Sequence, residues 1–172
     1  MSGDPVEQKV AAALEALGIE GHEVLECDPE LADTALFCAR YGVSLEDSAN
    51  AILVASKKPA GQLALCMVLA TTRLDVNRAV RKAMGVKRLS FASAELTREV
   101  TGMLIGGVTP FGLPADLPIL VDARVMTRER VVVGGGSRST KLLLSPAELL
   151  KIPGLRVIED LAKPMSQEVT DG

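Results

Sequence analysis

The stretch TGMLIGGVTPFGLP, Thr101 to Pro114, holds four glycines and two prolines among apolar residues, and it carries no charge. A surface loop is normally polar, and a core strand normally excludes Gly and Pro, so the segment fits neither description. Glycine lets a backbone approach another group closely and aim its N–H donors at a carbonyl or an anion. The segment therefore reads either as a tight corner of a sheet or as a loop presenting backbone donors in an apolar setting. Its glycines and prolines also interrupt the longest apolar run, so no membrane span and no membrane partner are expected.

Working outward, short elements flank the loop on both sides. Upstream, DPVEQKVAAALEALG predicts a helix with Asp4 as cap, Pro5 in the first turn and Gly18 as stop. HEVLEC reads as a strand, and DTALFCARYG as a short helix ended by Gly42. Ser44 caps a turn, and apolar strands follow at about Ala51 to Ser56 and in QLALCMVLA, paired as a hairpin across KKPAG. LDVNRAVRKAMG predicts a basic helix stopped at Gly85, KRLSFAS a strand, and SAELTREV a helix. Downstream, LPILVD, RVVVGGG and TKLLL read as strands. SPAELLKI predicts a helix with a capping box from Ser145 and Glu148, and GLRVIED a last short strand. Helices and strands do not alternate strictly, which argues against a doubly wound sheet and for one α+β domain over residues 1–162. Residues 163–172 read as a loose polar tail.

With 172 residues, 48% of them hydrophobic, the chain can bury a substantial core. The N-terminal MSGDPVEQKV is acidic and lacks an apolar stretch, so no signal peptide is expected. Cys27, Cys38 and Cys66 lie in apolar or mixed segments and read as buried reduced thiols of a cytoplasmic protein. The net charge of −3 hides an uneven distribution: residues 1–33 carry −8, residues 159–172 carry −3, and the middle carries +8. Within RLDVNRAVRKAMGVKR, helical spacing would place Arg78, Arg81 and Lys82 on one face, either simply solvated or in contact with a phosphate backbone.

Side-chain catalysis has few candidates. His22 is the single histidine and reads as structural. No His/Cys cluster has metal-ligand spacing, and neither a metal nor another cofactor is expected. GGGSRST, Gly134 to Thr140, lacks the Gly-Lys-Ser/Thr ending of a phosphate-binding loop. What remains are two glycine-rich segments, LIGGVTPFG and VVVGGGSRS.

TALFCARYGVSLEDSANAILVA, TGMLIGGVTPFG, LPILVDARV and VVVGGGSRSTKLLLSPAELL resemble, in order and spacing, the YbaK/EbsC family, which is related to the editing (insertion) domain of prolyl-tRNA synthetase. The resemblance runs from about Thr34 to Ile158. It implies a mixed, barrel-like sheet of about six or seven strands with surrounding helices, and hydrolysis of the ester joining a wrong amino acid to tRNA. It also implies that Gly106 and Gly107 hold the aminoacyl carbonyl by backbone amides. Thr34, Val108, Pro110, Phe111, Asp122, Gly134 and Gly135 then become candidates for substrate contact, and Arg78, Arg81 and Lys82 for tRNA contact. Partners are the aminoacyl end of tRNA and, as a further option, an aminoacyl-tRNA synthetase.

The sequence also departs from the family pattern. Asn50 stands where the family commonly has a lysine, so it is the third catalytic candidate and also the reason for a second reading, a silent binder that lost the chemistry. Lys141 stands where an acid can occur, and Gly134 where a small hydroxyl can. With no synthetase domain in the sequence, editing is expected to be free-standing.

Overall fold

In the computed structural model, which describes residues 3–165, the apolar run QLALCMVLA becomes β3 (Ala60–Leu69), the central strand of a five-stranded sheet. The order is β5 (Arg88–Phe91), β2 (Ala49–Lys58), β3, β6 (Ile119–Asp122) and β9 (Arg156–Ile158). β2 pairs antiparallel with β3 and β5, whereas β3–β6 and β6–β9 are parallel. From Leu63 onward β3 is apolar because both of its faces are covered there. Leu65, Met67 and Leu69 pack with Val10, Leu14 and Phe111 on one face. Ala64, Cys66 and Val68 pack with Val76, Val80 and Leu161 on the other.

A second, antiparallel sheet has the order β1 (Glu23–Glu26), β8 (Thr140–Leu144), β7 (Val131–Gly134). A third pairs β4 (Thr72–Leu74) with β10 (Ala162–Pro164). The mixed α+β class holds, but the barrel does not close. The described residues form ten strands in three sheets, and the first two sheets are joined by the single parallel bridge Ser48–Val132. Closure needs a continuous staggered ladder, which one bridge does not supply. β10 contains Lys163 and Pro164, the start of the expected tail. The remainder of that tail, from residue 166, lies outside the described residues.

The helices begin and end where their caps are. In α1 (Pro5–Ala16), Asp4 Oδ1 accepts from the N–H groups of Val6 and Glu7, and Gly18 follows in the left-handed region. α2 (Thr34–Tyr41) ends at Gly42, and α4 (Ala94–Thr101) is capped by Ser93. The basic segment is less regular than expected. A π turn, Val76–Val80, precedes the four-residue α3 (Arg81–Met84). Its i→i+5 bonding shifts the helical register. SPAELLKI forms a 3-10 helix instead of a capped α-helix. Glu148 does not turn back to Ser145: it accepts from the Glu20 N–H at 2.8 Å and from Lys151 at 2.7 Å.

Two ties hold the loops and the sheet edge in place. The first joins the two glycine-rich segments. Gly136 N–H donates to Gly107 O at 2.7 Å, and a Cβ on Gly107 would lie 2.6 Å from the Ser137 backbone. A Cβ on Gly134 would run into the Val108 carbonyl. Only bare backbone fits at this junction, which accounts for Gly107 in the apolar loop and Gly134 opposite it. The second tie is Asp122 at the end of β6, with no exposed surface, paired with Arg124 at 3.1 Å. Arg124 also reaches Asp160 at 3.0 Å and the Ala162 carbonyl at 2.8 Å, so it pins β10 to β6. Burial pushes the Asp122 carboxyl above its ordinary range, and Arg124 pulls against that shift.

Replacing Gly134 with Ala should lower stability by about 1–3 kcal/mol through overpacking against backbone that cannot yield; an unchanged thermal midpoint would show that the two loops do not touch. Arg124→Met should cost about 3 kcal/mol at pH 7 in urea denaturation, because it leaves the Asp122 carboxylate buried without its partner. In that variant the folded state holds the Asp122 proton more tightly than the unfolded chain does. The deficit should therefore grow as pH rises through the carboxylate range and shrink as pH falls.

Candidate functional site

Four pieces of chain meet around a cavity of about 290 Å³. The start of β2 contributes Ala49, Asn50, Ala51 and Ile52, and the first turn of α2 contributes Asp33 and Thr34. The apolar loop contributes Ile105, Gly106 and Val108, and the second sheet contributes Gly134 and Lys141. The wall is mostly aliphatic or bare backbone, with a few convergent polar groups, as small-molecule sites generally are.

The polar groups have specific partners. Thr34 Oγ1 donates to Asn50 Oδ1 in a short hydrogen bond. That bond fixes the Asn50 carboxamide and leaves its Nδ2 donors for the cavity. Asp33 caps α2 by position but not by side chain, because its carboxylate pairs with Arg138 at 3.1 Å. Arg138 also donates to the carbonyls of Pro29 and Ile105, at 3.0 and 2.5 Å, and so holds the α2 entrance against the apolar loop. Lys141 is buried, 5% exposed, and donates to the carbonyls of Ala32 at 2.6 Å and Gly106 at 2.7 Å. Its ammonium lies 5.4 Å from the centroid of the Phe37 ring. Burial pushes Lys141 below the ordinary lysine value, and it pushes the nearby Cys27 thiol up.

Of the residues singled out from the sequence, the fold brings Asn50, Gly106, Thr34, Val108 and Gly134 together in this cavity. It places others elsewhere. The Gly107 N–H is committed to Leu104 O at 2.8 Å, so that amide closes a turn and is not free to hold a carbonyl. Phe111 is completely buried in the main core, where an aromatic ring gains most by full burial. Pro110, beside it in the loop, is buried and absent from the cavity wall. Asp122 is the partner of Arg124. Gly135 donates to Thr140 O at 3.2 Å and lines a different concavity, a groove of about 1030 Å³ between α1 and β1. Arg78, Arg81 and Lys82 are exposed, and Arg78 and Lys82 line a crevice of about 650 Å³ that shares no residue with the Asn50 cavity.

The groove and the crevice are larger than the Asn50 cavity, but neither has its convergence of inward donors on bare backbone. Lys141 is the site residue that the sequence reading left without a role. Its signal was a charged residue inside the apolar strand TKLLL, which is buried along almost its whole length. Such a position is occupied by lysine only when the amino group has partners.

The family model of the aminoacyl-tRNA editing domain matches residues 28–152, a span that contains the whole cavity wall. The uncharacterized protein YwhH of Bacillus subtilis (strain 168) is 28% identical over 142 residues, covering 83% of this chain and 88% of its own. The crystal structure of hypothetical protein APE2540 is 28% identical, with a TM-score of 0.80 over 90% of this chain and 99% of that one. A crystal structure proposed as a trans-editing enzyme for prolyl tRNA synthetase is 26% identical, with a TM-score of 0.79 over 94% of this chain and 99% of that one. With the family model spanning most of the chain and the similar structures sharing its fold, the chain belongs to the aminoacyl-tRNA editing domain family, the YbaK family.

Proposed function

We propose that this protein hydrolyses the ester of a mischarged aminoacyl-tRNA, as a deacylase acting in trans on tRNA. The observation that carries the reading is the Asn50 cavity, an aliphatic pocket with inward donors inside the span matched by the editing family. The similar structure proposed as a trans-editing enzyme supports the same class of reaction.

The size of the cavity narrows the substrate. About 290 Å³ is near the lower end of small-molecule pockets, roughly 300–1,000 Å³. It accepts the aminoacyl group of a small amino acid and leaves the terminal adenosine and the rest of the tRNA at its mouth. The walls formed by Ala49, Ala51, Ile52 and Val108 favour a small side chain over a charged one, which would lose its water without a partner. In the proposed complex the Nδ2 group of Asn50 donates to the ester, and Thr34 sets the orientation of that amide. Gly134 packs its bare backbone against the Val108 carbonyl and Gly106 lies against Arg138, so these glycines bring the two cavity walls close together.

The tRNA body needs cations outside the pocket. Asn50, Ile52 and Val54 share one face of β2. Ile52 belongs both to the cavity wall and to the cluster into which Val76 and Val80 pack, so the basic segment lies on the Asn50 face of the sheet. Arg78, Arg81 and Lys82 project from that segment and fit contacts to the tRNA backbone. The second reading, a binder that keeps the pocket but not the chemistry, rests on Asn50 itself, a neutral amide where the resemblance leads one to expect a lysine.

A deacylation screen separates the two readings. Purified protein mixed with tRNA charged with Ala, Ser, Cys or Pro should release one of these amino acids well above the buffer rate. Retained binding of an unreactive aminoacyl-adenosine with no release from any charged tRNA would establish the binder instead. Asn50→Ala should lower release by about 100-fold, the usual effect of losing one donor to a reacting carbonyl. A rate within threefold of wild type would remove Asn50 from the chemistry.

A further inference from the structure

Lys141 is the one cation among the residues that line the Asn50 cavity. Taking an ammonium out of water is costly unless its charge is balanced. Two of its three N–H donors are used, on the carbonyls of Ala32 and Gly106, and both acceptors are neutral. Lys141 forms no ion pair among the described residues, and the carboxylate of Asp33 is engaged by Arg138 at 3.1 Å. The face of Phe37 offers a further weak attraction to the ammonium. One N–H and most of the positive charge are therefore left at the border of a small cavity, where the burial of Lys141 lets its charge act over a lower dielectric than water.

We propose that Lys141 is a catalytic residue of this site, donating its third N–H to the oxygen on which negative charge develops. The assignment rests on the deacylase reading above. In that reaction a water adds to the ester carbonyl carbon, and the π pair moves onto the carbonyl oxygen, giving a tetrahedral oxyanion beside Lys141. When the oxyanion collapses, the bond from the carbonyl carbon to the ribose oxygen breaks, and its electron pair stays on the ribose oxygen. That oxygen takes up the proton released by the water, so the products are a free amino acid and a tRNA with its hydroxyl restored. Lys141 keeps its own proton throughout. By binding Gly106 O it also occupies an acceptor that would otherwise repel the oxyanion. Asn50 adds a second, neutral donor, and Arg138 cannot take the part of Lys141 because it is spent on Pro29, Ile105 and Asp33.

The test compares two adenosine compounds by calorimetry: 3′-alanylamino-3′-deoxyadenosine, with a planar amide, and the 1-aminoethylphosphonate ester of adenosine, whose tetrahedral anionic centre mimics the oxyanion. Wild type should bind the phosphonate at least about tenfold more tightly than the amide, as expected of a site complementary to the transition state. Lys141→Met should weaken the phosphonate by about 10- to 100-fold and the amide by less than about threefold, with Lys141→Arg in between. A preference that survives in Lys141→Met, or a wild type that binds neither compound or both alike, overturns the proposal. Release from charged tRNA, measured on the same samples, separates the two claims. Release by wild type with a Lys141-independent preference sinks only the Lys141 assignment. A Lys141-dependent preference without release sinks the deacylase reading and leaves Lys141 as the anion-binding group.

If Lys141→Met does not fold, a pH titration of wild type decides. Cys27, Cys38, Asp33 and Arg138 are the titratable groups that face this ammonium. Deprotonation of Lys141 removes the charge, so the phosphonate preference should fade as pH rises, and below the ordinary lysine range. A preference that stays level through that range overturns the proposal.

Discussion

The site depends on one backbone-to-backbone contact, the junction of the two glycine-rich loops. Gly136 donates to Gly107, and Gly134 lies beneath the Val108 carbonyl with no room for a side chain. This junction brings the end of β7 against a loop 26 to 29 residues earlier in the chain. It sets Gly106 and Val108 opposite the start of β2, and so defines two walls of the Asn50 cavity. Without that approach the apolar loop would have no reason to lack charge, and Asn50 would face solvent. Arg138 reinforces the junction from outside by tying Asp33, Pro29 and Ile105 together.

The distribution of charge follows the same geometry. Near the cavity the charges are few and held in place: Asp33 by Arg138, and Lys141 by two carbonyls and an aromatic face. Arg78, Arg81 and Lys82 are exposed on the π turn and α3, where they cost little to keep hydrated. This division suits the proposed nucleic-acid ligand, whose body would be bound by water-exposed charge and whose reacting end by the few fixed donors of the cavity. Glu7 and Glu15 of α1 and Glu26 of β1 border the other large groove, which shares no residue with the cavity.

Much of the fold could be read along the chain because it rests on local rules. Asp4, Gly18, Gly42 and Ser93 mark helix ends by groups within a few residues, and the long apolar hairpin follows from hydrophobic pattern alone. The readings that failed involve partners far away in sequence. Glu148 left its capping box for the backbone of Glu20, β4 exists because β10 returns to pair with it, and the sheet stays open because only Ser48 and Val132 join its halves. Likewise, Asp122 resembled a site residue at the end of a strand, but its carboxylate is consumed by Arg124 two residues on.

By itself the sequence determined the α+β class, the unusual character of the two glycine loops and the place of Asn50 in the chain. These follow from pattern, spacing and the conformations that Gly and Pro permit. Only the tertiary structure decided which of the loop's donors stay free, which of the candidates share a wall, and that Lys141 brings a buried positive charge to that wall. The reason is physical: whether a donor or a charge is available depends on what lies within about 3 Å of it. For Gly107 that neighbour is three residues away, for Asn50 sixteen, and for Lys141 more than a hundred.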